Sequence, residues 1–442
     1  MSASTQKSII KGTLILTIAG ILSRFLGFYN RIFLTNLFGA RELGIYQMIF
    51  PVYMVIFSFC CQGIQTALTR QIARPNHNIS AGFCLLKHAV RISLFLSILC
   101  SFVTFFLAKP ICYQLLRATE CIPCLKILSL AFPFVSLKGC LSGYFIGIQK
   151  SVETAWGQLV EQIAKIGSVY LLSVTFFSMV VPKAYFAVWG IVAGEIVSCL
   201  LLLSCYLYHH KQNSKQTIAG SGHCPRSSGF YCRELLTDAV PLTVNRLSLT
   251  GLQCLESILI PHMLNLYLKN GDQALILYGT LTGMVLPCIM FPTTLTASLS
   301  TMLLPAISSE HTKEHSHAIS GIIRKSICFC LIIGIFSSLF LLFFGNWSGQ
   351  FLFQSATAGE LLFRFALLCP FIYLSACLAS IMNGLGLAGK NLLYSIISIA
   401  IRIICILTLV PQIGLTGYMW GLMLSYLLQT GLLLISIRHC SV

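Results

Sequence analysis

The chain has 442 residues, of which 56% are hydrophobic and only 9% charged, and it carries a formal net charge of +17 with a mean hydropathy of +0.85. These values exclude a soluble or secreted globular domain, whose water-facing surface needs far more charge. The basic excess is the ordinary topological signal of a polytopic membrane protein and calls for no nucleic-acid partner.

Taken in chain order, the first apolar run follows Lys7 and Lys11 but is interrupted by Arg24 and Arg31 and has no small-residue cleavage site. It therefore reads as a retained span and not as a signal peptide. Since about 20 apolar residues cross a bilayer core, hydropathy predicts twelve helices, at 12–34, 46–68, 84–107, 127–147, 155–177, 184–206, 239–261, 276–303, 324–344, 361–383, 391–410 and 415–437. Sixteen Lys and Arg, Arg70 and Arg74 among them, fall between spans on one side and six on the other, which predicts a multi-pass protein of the cell membrane with both termini in the cytoplasm. The longest polar break predicts a cytoplasmic linker at 207–235 between two six-helix lobes, 1–206 and 236–442. Because six is even, a repeat between the lobes would follow an axis along the membrane normal. Gly143-Tyr-Phe-Ile-Gly147 and Asn383-Gly-Leu-Gly386, each ending the fourth span of its lobe, hint at one, as do Arg24 and Arg246 in the leading spans.

Twenty cysteines are scattered without regular spacing and behave as small hydrophobes. Cys121-Ile-Pro-Cys124 is a C-x-x-C outside any thioredoxin-like context, and redox chemistry is not expected of it.

Apart from Lys87, Arg91, Arg324 and Lys325, counted with the cytoplasmic ends of their spans, ten ionisable residues lie inside the predicted spans: Arg24, Arg31, Lys138, Glu161, Lys165, Glu195, Arg246, Glu256, Arg364 and Arg402. Each costs about 2.5–3.5 kcal/mol at a helix centre, so such groups face a bundle interior or a wet cavity. Seven bases against three acids leave an excess of four positive charges. Arg24 and Arg31, seven apart, share one helix face, and Arg246, Thr250, Gln253 and Ser257 form a second polar stripe. The two stripes are expected to line a central cavity, with Arg24 and Arg246 facing one another across it. Glu161 and Lys165 have the i, i+4 order of an intrahelical salt bridge. Together with Lys138, Glu195 and Glu256 they are candidates for a cavity or coupling role.

The stretch from Lys11 to Pro51 resembles the opening of the stage V sporulation protein B group of polysaccharide-type flippases, within the multidrug/oligosaccharidyl-lipid/polysaccharide exporter superfamily. Further blocks agree: Gly143-Tyr-Phe-Ile-Gly-Ile-Gln149 with Gln158-Leu-Val-Glu-Gln162, Leu277 to Met284 with Pro287 and Phe291-Pro292, Ser298 to Thr301, and Leu304-Pro-Ala-Ile-Ser308. The resemblance implies an all-α, MATE-like bundle that alternates access around a central cavity. It also implies cavity arginines that engage the diphosphate of a lipid-linked saccharide: Arg24 by motif, Arg31 more loosely, Arg246 by place. Three features depart from the pattern. Ser142 stands where arginine is common, Glu153 where proline is usual, and twelve spans are predicted where many such flippases have fourteen.

The function that follows is a flippase moving a lipid-linked saccharide or cell-envelope precursor from the inner to the outer leaflet, coupled to an ion such as H+ or Na+, with membrane lipid as its other partner. No cofactor, metal or catalytic role is implied. An antiporter of cationic drugs from the same superfamily is the alternative, but it would want acids to dominate the cavity. A membrane-bound saccharide polymerase or ligase would need a substantial external loop bearing catalytic groups, and none is evident.

Overall fold

A computed structural model describes residues 3–74, 79–175, 184–216, 228–294, 296 and 316–440. Among these residues the chain is helical throughout, without strands. Contacts divide it into two units, Met1–Gly27 with Met48–Gly251 and Phe28–Gln47 with Leu252–Val442.

In the first unit, helix α1 (Ala3–Phe57), which continues into the second unit over residues 28–47, is broken only at Gly39, whose φ of 81° is reserved for a residue without Cβ. A π-helical turn at Ser58–Gln62 leads into α2 (Gly63–Ile72), so the second predicted span crosses a wide turn. Next come α3 (Ile79–Phe106), then α4 (Cys121–Ser129) and α5 (Phe132–Gly147), a pair bent by 44° that forms the fourth span. Helix α6 (Ser151–Thr175) and α7 (Ala184–Gln216) complete the predicted set. Helix α8 (Ser228–Leu268) gives its first part to this unit and its remainder to the second.

The second unit continues with α9 (Gly271–Gly279), a π-helical turn at Thr280–Val285 and α10 (Leu286–Met290). Then follow α11 (Ser316–Phe353), the broken pair α12 (Ala356–Phe365) and α13 (Cys369–Gly384), α14 (Ala388–Thr408) and α15 (Leu415–Cys440). Arg31 donates to the Thr282 carbonyl at 3.1 Å, and Arg41 meets Asp272 at 2.9 Å. These bonds tie the 28–47 part of α1 to the second unit.

Among the described residues nine helices are long and apolar enough to cross a membrane, or ten with the bent pair. Ile15–Ile72 contains two predicted spans, and α6, lowered in hydropathy by Gln158, Glu161, Gln162 and Lys165, supplies the remaining one. All twelve expected spans therefore have helix under them, although the eighth is covered only in part, and Ser298–Thr301 and Leu304–Ser308 lie outside the described residues. So does the middle of the expected linker; its flanks are helical, because α7 extends to Gln216 and α8 begins at Ser228. Large side chains such as Phe95, Phe102, Phe106, Phe336, Phe343 and Phe351 are exposed. Only a lipid solvent makes such a surface stable.

A repeat hinted at by the glycines and by Arg24 and Arg246 is much clearer in the backbone. The π-helical turns start at Ser58 and Thr280, with the same separation as Arg24 and Arg246. The fourth spans restart at prolines, Pro133 and Pro370, and end at Gly147 and Gly384; positive φ follows at Gln149 and Gly386. That second separation also relates Lys165 to Arg402. Cys121 and Cys124 are buried thiols on α4.

Candidate functional site

Most intramembrane charge is internally neutralised. In the first unit Lys138 Nζ on α5 donates to Glu161 Oε2 on α6 at 2.9 Å and to Glu195 Oε2 on α7. Lys165 Nζ reaches Glu161 Oε1 at 2.5 Å, and the buried Tyr53 hydroxyl donates to Glu195 Oε1 at 3.0 Å. Two ammonium groups thus meet two carboxylates, each carboxylate oxygen with a donor, which is the condition under which charge can be buried. The second unit repeats the scheme. Glu256 accepts from Arg402 Nη1 at 3.1 and 3.2 Å and from the Tyr418 hydroxyl at 2.9 Å, while the Arg402 guanidinium lies 5.1 Å from the Tyr426 ring centroid. Arg364 pairs with Glu360 at 2.5 Å.

Arg24 and Arg246 are different: both are exposed residues of the first unit. Arg246 on α8 lines a cavity of about 420 Å³ with Phe57, Gln62, Gln65, Thr66, Thr69, Arg70 and Ile146. Arg24 and Arg31 are not among the lining residues. The wall is a polar stripe at i, i+3, i+4, i+7 and i+8, which places Gln62, Gln65, Thr66, Thr69 and Arg70 on one helix face.

Close helix contacts fix that wall. A Cβ at Gly63 would lie 1.9 Å from Thr243 Oγ1 on α8, and one at Gly143 would lie 2.9 Å from the Gln65 carbonyl oxygen. The Thr69 hydroxyl donates to the Gly143 carbonyl at 3.0 Å, fastening α2 to α5. Beyond Arg70, Arg74 pairs with Glu234 at 3.0 Å and Asp238 at 3.2 Å, and Gln71 donates to the Glu234 carbonyl at 2.7 Å, fastening α2 to α8.

Sequence reasoning counts Arg70 only as a topological charge and misses the polar stripe that ends in it. Its i, i+3, i+4 spacing was the available signal, hidden because the apolar window of the second span closes at residue 68. Glu153, the departure from proline, pairs with His209: its Oε1 lies 2.9 Å from His209 Nε2, and His209 Nδ1 lies 2.9 Å from Lys150 Nζ.

The cavity combines two guanidinium groups with amides and hydroxyls and, among the described lining residues, no carboxylate. Such a lining suits an anion carrying hydroxyl groups. The polysaccharide biosynthesis protein family, as a profile, matches residues 9–311. The chain belongs to that family. It is 25% identical to stage V sporulation protein B of Bacillus subtilis (strain 168) over 99% of this chain and 83% of the relative. Among solved structures, the lipid II flippase MurJ in an inward closed conformation superposes with a TM-score of 0.74 at 14% identity, covering 96% of this chain and 87% of that one. An inward-facing multidrug resistance MATE family transporter of the MOP superfamily gives 0.72 at 14% identity, covering 94% and 95%. The fold is the one these two transporters share, and this member of the polysaccharide biosynthesis protein family is a multi-pass membrane protein.

Proposed function

We propose that the protein moves a lipid-linked saccharide, a cell-envelope or polysaccharide precursor, from the inner to the outer leaflet, with both termini in the cytoplasm. One observation carries this reading. The cavity of the first unit presents Arg70 and Arg246 and, among its described lining residues, no carboxylate, while the acids within the spans are held in ion pairs. A diphosphate finds two guanidinium groups there, and a cationic drug finds repulsion, which favours the flippase over the antiporter. Stage V sporulation protein B as a relative and the lipid II flippase as a fold neighbour point the same way.

Arg246 is the headgroup ligand in this scheme. Arg24, exposed in the same unit, and Arg31, with guanidinium donors beyond the one given to Thr282, serve the same substrate at other stages of its passage. A coupling ion, H+ or Na+, must displace a base from Glu161, Glu195 or Glu256, so Lys138, Lys165 and these three carboxylates are the groups assigned to coupling.

The test is transport of a fluorescent polyprenyl diphosphate-saccharide in reconstituted liposomes, read as arrival in the opposite leaflet. Arg246→Ala and Arg24→Ala are expected to lower the rate at least tenfold, and Arg246→Lys to restore it only in part, because an ammonium lacks the bidentate geometry. Unchanged transport by both alanine variants, or stronger retention of a lipophilic cation than of the diphosphate lipid, overturns the reading.

A further inference from the structure

The cavity's hydrogen-bonding groups are not equivalent, and their commitments elsewhere decide what each can offer a ligand. The Thr66 hydroxyl donates to its own helix at the Gln62 carbonyl, 2.8 Å away. The Thr69 hydroxyl donates to the Gln65 and Gly143 carbonyls at 2.9 and 3.0 Å. A hydroxyl has one proton, so both threonines turn only lone pairs toward a ligand. Gln62 is fixed in the opposite sense: its Oε1 accepts from the Ser58 hydroxyl at 3.0 Å, leaving the amide Nε2 as a donor. Phe57, stacked on Tyr53 with ring centroids 6.2 Å apart, adds an aromatic surface.

Along α2 and the π-helical turn that leads into it these groups are graded. Arg70 ends the stripe, Thr66 sits about one turn before it and Gln62 about two, over roughly 12 Å. A phosphate has no proton to donate at neutral pH, so acceptor-only threonines gain nothing from it. A sugar hydroxyl both donates and accepts, and it can bridge Thr66 Oγ1 and the Gln62 amide.

We propose that this cavity reads the first sugar of the headgroup as well as its diphosphate: Arg70 and Arg246 hold the phosphates, and Thr66 with Gln62 bonds a hydroxyl of the attached hexose, whose C–H face lies against Phe57. The inference rests on the flippase reading and deepens it, because it makes Thr66 and Gln62 specificity-determining residues. The carrier lipid with a sugar attached is then preferred to the same lipid returning empty.

Binding of heptaprenyl diphosphate and of heptaprenyl diphosphate bearing one glucose to the purified full chain tests this, with heptaprenol as the reference lipid. The wild type is expected to favour the glucosylated lipid by about three- to tenfold, the value of one or two net hydrogen bonds. Thr66→Val, equal in shape but without lone pairs, is expected to erase that preference, and Thr66→Ser, which keeps the oxygen, to retain it. Equal binding of the two diphosphates by the wild type overturns the proposal, as does a preference that survives in Thr66→Val; either result leaves the diphosphate site standing. Failure of both diphosphates to bind better than heptaprenol overturns the flippase reading itself, and this proposal with it.

Discussion

Replacing Lys138 by Met strikes the buried ion cluster of the first unit at its centre. The ammonium serves two carboxylates, Glu161 at 2.9 Å and Glu195. After its loss Glu161 still has Lys165, but Glu195, 2% exposed, keeps only the Tyr53 hydroxyl among its described partners. The cluster passes from neutral to a net charge of −1. A unit pair at 2.9 Å is worth about 6 kcal/mol at an effective dielectric of roughly 20. Removing one partner of a buried pair costs about 3–5 kcal/mol in practice, since part of the attraction had offset desolvation. Lys138→Met is therefore expected to lose about 3–5 kcal/mol of stability. The double variant Lys138→Met/Glu195→Gln restores neutrality, leaves the Tyr53 bond an acceptor and should recover more than half of the loss. Denaturant unfolding of the purified variants in one detergent measures both. A single variant as stable as the wild type, or a double variant no better than the single, refutes the account of why these charges are buried together.

Gly279→Ala should prevent folding of the second unit, because the added Cβ would lie 2.1 Å from the Ala40 carbonyl oxygen and 2.7 Å from the Gly44 nitrogen, backbone atoms that cannot turn aside. Gly20→Ala, with nothing within 4 Å, should fold normally and gain about 0.5–1 kcal/mol; yields and melting temperatures of the two variants decide between them. A reporter fused after Arg438 should be reached by impermeant reagents only once the membrane is opened, and labelling in intact cells would reverse the assigned orientation.

The fold was legible in the sequence because hydropathy reports a solvent, and lipid leaves a long signature. Helix positions followed from it directly. Breaks inside helices did not, since Gly39 and the π-helical turns at Ser58 and Thr280 alter hydrogen bonding without altering apolarity. The site was less legible for a different reason. Seven bases against three acids suggests a positive interior, yet which bases stay uncompensated depends on partners far away in the chain, as Lys138 with Glu195 and Arg402 with Glu256. Only the pairs four residues apart, Glu161–Lys165 and Glu360–Arg364, could be read locally. Arg246 was visible as an isolated charge in a span, whereas Arg70 was hidden by its closeness to a span end.

The separation of those partners also sets a schedule for biogenesis. Glu256 leaves the ribosome 146 residues before Arg402, which at about 5–20 residues per second is roughly 7–30 s. Lys138 precedes its first partner, Glu161, by 23 residues, roughly 1–5 s at the same rate. During these intervals a charge costing about 2.5–3.5 kcal/mol in hydrocarbon has no counterion. Helices α5 and α8 are therefore expected to leave the hydrated boundary beside the insertion machinery only after their charge partners have been made.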